Sequence, residues 1–112
     1  MNKSKQKGTA WESAIVSYLS DCGFSAVRIV LHGNADHGDI LLASNTKITI
    51  EAKNEKAITL SSYVDEAEAE SKNAGTDLGV AWVHRRGKGS PSDGYVVMKG
   101  SSFIEFLKLA NA

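Results

Sequence analysis

Gly38 to Asn54, GDILLASNTKITIEAKN, reads as two β-strands joined by a short turn, and the rest of the chain is arranged about it. Ile48, Ile50 and Ala52 alternate with Thr49, Glu51 and Lys53, the period-two pattern of a strand. Side chains two apart on a strand share a face, so Glu51 and Lys53 project the same way. Whether Asp39 joins them depends on register. A two-residue turn at Ser44-Asn45 pairs Asp39 with Ile50 and puts it on the wrong face. A three-residue loop, Ser44 to Thr46, pairs Asp39 with Glu51, as does a bulge, and a working site requires one of these. Asn45 tolerates the left-handed conformation of such a loop. Two carboxylates and a lysine at the ends of adjacent strands can hold a hard divalent cation with a water beside it.

The chain has 112 residues, a length for a single domain, 1–112, with one modest core. Its apolar runs are too short to span a bilayer, and MNKSKQKG has no apolar segment of a secretory signal, so no membrane role and a cytoplasmic location are expected. Cys22 stands alone, which excludes a disulfide framework and a cysteine zinc site. Formal net charge is zero, but the charges are sorted. Lys3, Lys5 and Lys7 make a basic tail, expected to be flexible over 1–8. Arg85, Arg86 and Lys88 make a basic, glycine-rich loop, and acids gather at Asp65, Glu66, Glu68 and Glu70.

In chain order, a helix is expected from Thr9, where Thr9 and Glu12 have capping-box spacing, with Trp11, Ile15, Tyr18, Leu19 and Cys22 as its buried stripe and Gly23 as its stop. Ala26–Leu31 reads as a strand and His32–Gly38 as a polar loop before the hairpin. A second helix is expected over Thr59–Ala74, ended by Gly75, with Leu60, Tyr63, Val64, Ala67 and Ala74 as its apolar face. Leu78–Val83 is continuously apolar, the mark of a strand buried on both faces. Tyr95–Met98 reads as a strand antiparallel to it. Ser101 or Ser102 caps a final helix with Phe103, Phe106, Leu107 and Ala110 as its apolar face. The order α-β-β-β-α-β-β-α predicts an α/β fold, a mixed sheet flanked by helices.

Gly8-x-x-x-Glu12, Gly38-Asp39-Ile40 and Glu51-Ala52-Lys53 together resemble the PD-(D/E)XK nucleases, most of all the small Holliday junction resolvase-like proteins that phages encode. The proline that usually precedes the aspartate is Gly38 here. The resemblance also covers the second helix, the apolar strand ending in His84-Arg85-Arg86-Gly87, the Tyr95–Met98 strand and the last helix, in that order. It implies a restriction-endonuclease-like fold and a metal-dependent endonuclease cutting branched DNA, a four-way junction above all, as a homodimer in the cytoplasm of a host cell. It implies that Asp39, Glu51 and the backbone carbonyl of Ala52 ligate Mg²⁺ or Mn²⁺. Lys53 would orient or deprotonate the attacking water, and Glu12 would reach the site from the first helix.

Glu12 has a competing reading as the reciprocal residue of the capping box. At the edge of the buried stripe, though, its carboxylate needs a partner such as a metal or a lysine. Arg85, Arg86 and Lys88, with Lys3, Lys5 and Lys7, read as phosphate contacts. Asp36 and His37 are open between surface loop and scissile phosphate, and His32 reads as loop. The acidic helix reads as a solvated face away from DNA, and Trp11 and Trp82 as core. Other readings of the chain are a nicking or repair nuclease of the same fold, a DNA-binding module without catalysis, and an interaction domain using the acidic helix.

Overall fold

The structure, a computed structural model, describes residues 3–29, 39–42 and 47–111, with 3–6, 29 and 39 described by backbone only. The loop carrying His32, Asp36 and His37 and the turn at Ser44–Thr46 lie outside the described residues. The elements are α1 (Lys3–Asp21), β1 (Ala26–Ile29), β2 (Asp39–Leu42), β3 (Ile48–Lys53), α2 (Leu60–Ala74), β4 (Leu78–Val83), β5 (Tyr95–Val97) and α3 (Gly100–Leu109), with a short 3₁₀ turn at Pro91–Asp93. They follow the order expected from the sequence.

One five-stranded sheet runs β1-β2-β3-β4-β5. All neighbours are antiparallel except β3 and β4, which are parallel and joined by α2 as the crossover. That crossover explains the continuous apolar run of β4, in which every residue is buried. The β2–β3 register pairs Asp39 with Glu51 and Leu42 with Ile48, the register of the longer loop and not of the two-residue turn.

Strand alternation then sorts the core. Ile40, Ile50, Val80 and Trp82 pack on one face against Trp11, Ile15 and Leu19 of α1. Tyr63 of α2 packs on the other against Ala81 and Val83. Burying side chains such as Ile15 and Ile40 stabilises by about 1.5–3 kcal/mol each. The indoles hold the α1 layer in place: Trp11 Nε1 donates to the carbonyl of Trp82 at 3.0 Å, and Trp82 Nε1 to that of Pro91 at 3.1 Å. On the α2 side the helix comes so close that a Cβ on Gly79 would lie 2.1 Å from the carbonyl oxygen of Ala67. A glycine in mid-strand is thus required by close approach and not by backbone angle. Beside it the hydroxyls of Thr49, Thr76 and Ser71 bond one another at 2.8 and 2.7 Å, which satisfies polar groups on this buried seam.

Several expectations are corrected. The first helix begins at Lys3, so Thr9 is interior and the capping box does not form. Residues 3–8 are helical and not a flexible tail, because KSKQK consists mostly of good helix formers. Cys22 falls after the helix and is exposed. α2 keeps Tyr63, Val64 and Ala67 buried with Ser71, but Leu60 and Ala74 are exposed. Gly75 ends it as expected in the left-handed conformation, φ 69°. At α3 the N-cap is Lys99 without a side-chain bond, and Ser102 instead donates to Glu68. None of its residues is buried, and Phe103, Ile104, Phe106 and Leu109 are exposed. β5 is a three-residue edge strand and gives this helix little sheet to cover. Phe106 lines an apolar cleft of about 230 Å³ with Leu19, Ile50, Val80 and Val96.

Candidate active site

β3 ends in the chemistry. Ile50 and Ala52 pack with the α1-side core, so Glu51 and Lys53 project toward α2. Both are buried, at 5% and 8% exposure. Lys53 Nζ lies 3.5 Å from Glu51 Oε1, donates to Glu66 Oε2 on α2, and sits 5.2 Å from the centroid of the Tyr63 ring. The Tyr63 hydroxyl is itself held, 2.7 Å from Glu55 Oε1 and 3.0 Å from the Ala57 carbonyl. Burial pulls the Lys53 ammonium down, but the Glu66, Glu51 and Glu55 carboxylates outweigh it and leave the pKa raised, so Lys53 is a cation at neutral pH. Burial, with Glu55 beside it, pushes the Tyr63 phenol up, so it stays a neutral donor.

Asp39 opens β2 directly opposite Glu51. Its side chain, like Asp36 and His37, lies outside the described residues. Glu12 is buried on the α1 side, where Arg28 of β1 reaches its Oε2 at 2.7 Å. The partner that the sequence required for this carboxylate is therefore an arginine. Arg28 pairs in register with Ile40, on the face that α1 covers.

Beyond the parallel ends of β3 and β4 a polar groove of about 250 Å³ opens. Lys7 of α1, Lys56, His84 and Arg86 line it, with Asn54 and Glu55. His84 stands edge-on to Trp11 at 4.7 Å and donates its backbone N–H to the Lys53 carbonyl at 2.8 Å. In open α/β sheets the carboxyl ends of parallel strands are the usual ligand crevice. Of the expected phosphate contacts, Lys7 and Arg86 line this groove. Arg85 stacks on Tyr95, 6.0 Å from its centroid, and Lys88 is exposed on the same loop. The Lys3 and Lys5 side chains lie outside the described residues.

Sequence reading passed over Arg28, Glu66, Lys56 and His84. Arg28 is the only charge in β1, and Glu66 stands three residues after Tyr63, one helical turn along the same face. Both signals were available. The reading of Asp65–Glu70 as a purely solvated face is corrected: Glu66 meets Lys53, and Glu68 meets Lys99 at 2.7 Å. No described helix is long and apolar enough to cross a membrane.

The chain is similar in fold to Hjc of Archaeoglobus fulgidus, a Holliday junction resolvase from an archaeal hyperthermophile. The TM-score is 0.54 at 16% identity, covering 94% of this chain and 96% of that one. No curated protein sequence matches significantly. The profile of the archaeal Holliday junction resolvase (Hjc) family matches residues 3–93, the span from α1 through the 3₁₀ turn that holds every candidate residue described above. The chain therefore belongs to the archaeal Holliday junction resolvase family, nucleases of the PD-(D/E)XK superfamily.

Proposed function

We propose that this nuclease is a Mg²⁺- or Mn²⁺-dependent endodeoxyribonuclease that cuts four-way DNA junctions as a homodimer in the cytoplasm, with Asp39, Glu51 and Lys53 at its centre. The observation that carries the site is the register: Asp39 opposite Glu51, and Lys53 next along the same face. The donor set fits a hard cation. It is all oxygen, with a buried Glu51 carboxylate whose one described cation is 3.5 Å away, and the Ala52 carbonyl is adjacent. Asp39, in register opposite Glu51, is the residue assigned to complete the set.

When bound, the cation supplies a nucleophile at neutral pH and neutralises the phosphate. The chain supplies the rest. Lys53 orients the attacking water and offsets charge developing on the phosphate oxygens. Arg28, partly exposed beside Glu12, gives the α1 side a cation for a neighbouring phosphate. Glu12 fixes the fork of that guanidinium from α1, on the face of the sheet opposite Glu51 and Lys53. Lys7, Lys56 and Arg86 seat the flanking backbone, with Lys3, Lys5, Arg85 and Lys88 adding positive charge. Two cuts in opposing strands need two sites, which a two-fold dimer supplies. Val96, Phe103, Ile104 and Leu109 offer the apolar surface for it.

Glu51→Gln is the test. Cleavage of a four-way junction in Mg²⁺ should fall at least about a hundredfold with binding retained. Sedimentation of the same protein should give a dimer at micromolar concentration. Wild-type turnover by folded Glu51→Gln protein refutes the site; a strict monomer that nicks one strand refutes the dimer alone.

A further inference from the structure

We propose that Glu66, on α2, is a positioning residue for cleavage: it holds the Lys53 ammonium at the end of β3 beside Glu51. The inference rests on the reading of Lys53 as a residue of the cleavage site.

A lysine stem has four rotatable bonds, so a strand end alone does not aim its ammonium. Here the stem is buried and the head has a direct bond to Glu66 Oε2, against a separation of 3.5 Å to Glu51. The Tyr63 ring closes the inner side at 5.2 Å. Tyr63 and Glu66 lie three residues apart on α2 and so grip the ammonium from one helix face.

That helix is a rigid mount. Gly79 admits its backbone to near contact with β4, Tyr63 is tied to Glu55 and Ala57, and Ser71 bonds Thr76, which in turn bonds Thr49 of β3. The placement of Lys53 is thus inherited from the packing of α2 on the sheet. Glu51 has a second duty in the proposed site as a ligand, which leaves Glu66 the carboxylate dedicated to the lysine. Glu66 is about half exposed, at 49%, so its removal leaves the core untouched.

The test is a cycle of Glu66→Ala, Glu66→Gln, Lys53→Ala and the Glu66→Ala/Lys53→Ala double variant, under single-turnover conditions on a four-way junction. Loss of aim should slow Glu66→Ala by about ten- to a hundredfold. Junction affinity and melting temperature should hold, and Glu66→Gln, which keeps an acceptor oxygen, should recover part of the rate. In the Lys53→Ala background, Glu66→Ala should have no further effect. In metal-free protein without DNA, acylation of Lys53, read by mass spectrometry, should accelerate in Glu66→Ala.

A wild-type rate in Glu66→Ala overturns the proposal. So does a loss that adds fully to that of Lys53→Ala, because Glu66 then acts through something else. If Lys53→Ala itself cleaves normally, the reading of Lys53 has failed and takes this inference with it. That outcome is distinct from a slow Lys53→Ala beside an unimpaired Glu66→Ala.

Discussion

Gly79→Ala adds one methyl group at the tightest site among the described glycines. The new Cβ would lie 2.1 Å from the Ala67 carbonyl oxygen, 2.7 Å from its carbon and 3.0 Å from the Ser71 Cβ. Carbon and carbonyl oxygen rest at about 3.3–3.6 Å even when weakly attracted, so α2 must retreat by roughly 1 Å. A gap of that size forfeits a quarter to a half of the dispersion energy of the atoms it separates, here Tyr63, Val64 and Ala67 against β4. Overpacking ordinarily costs about 1–3 kcal/mol, and this case belongs at the upper end because the obstacle is helix backbone. Against it stands a gain of only about 0.4–1 kcal/mol from a stiffer unfolded chain. The net expectation is a loss of about 2 kcal/mol, from a total of roughly 5–15 kcal/mol for a domain of this size. Melting should fall by about 8 °C or more. Urea unfolding followed by circular dichroism should show a lower midpoint at unchanged slope. Gly89→Ala, with open space around it, is the control and should stay within about 0.5 kcal/mol of wild type. A Gly79→Ala protein as stable as that control would refute the close packing of α2 on the sheet, and with it the rigid mounting of Glu66.

Lys53→Ala should lose rate far more than junction affinity; normal single-turnover chemistry with weakened binding would make Lys53 a phosphate contact instead. Lys7→Ala with Arg86→Ala should weaken binding to all DNA sequences and lower the salt slope by about one for each phosphate no longer neutralised, whereas Arg85→Ala, stacked on Tyr95, should lower it less. Equal slopes in titrations at increasing salt would count against the groove. Asp39→Asn and Glu51→Gln should leave metal-free stability unchanged or higher, because Lys53 keeps Glu66 as its partner while a buried negative group is removed. Thermal melts in EDTA check this, and a fall of several degrees would contradict it.

The elements that were legible in the sequence are those with a pattern tied to burial. β4 announced itself by an unbroken apolar run, and α2 by Gly75 at its end. The hairpin register was legible only through chemistry: turn propensity left two registers open, and the need to bring Asp39 opposite Glu51 chose between them. The start of α1 was not legible, because residues 3–8 carry no apolar periodicity and are helical by propensity alone. α3 misled in the opposite sense. Its apolar spacing is genuine, but a pattern does not say whether anything lies opposite, and the short β5 edge leaves that face uncovered. Glu66 was hidden in a run of acids for a similar reason. Helix periodicity gives the face, but only the tertiary packing of α2 across the end of β3 makes one acid of that run a partner of Lys53.

The site follows from a single row of pairings across the sheet: Ile29 with Asp39, Asp39 with Glu51, Glu51 with Ala81, and Ala81 with Val97. Because side chains alternate, the residues next to this row face the other layer. Arg28 and Ile40 meet α1, and Glu12 on that helix meets Arg28. Glu51, in the row, meets Lys53 and through it α2. Charged residues that are far apart in sequence are thus supplied by both helical layers to one end of the sheet. A one-residue slip of β3 would turn Glu51 and Lys53 into the apolar layer of Trp11, Ile15 and Leu19 and turn Ile50 out of it. In that layer Glu12 and Arg28 already pair with each other, so an added carboxylate and ammonium would be buried among apolar side chains at a cost of several kcal/mol. The proposed catalytic arrangement and the hydrophobic sorting therefore select the same register. That agreement explains how a chain with so small a core can keep a buried acid and a buried lysine at the end of a central strand.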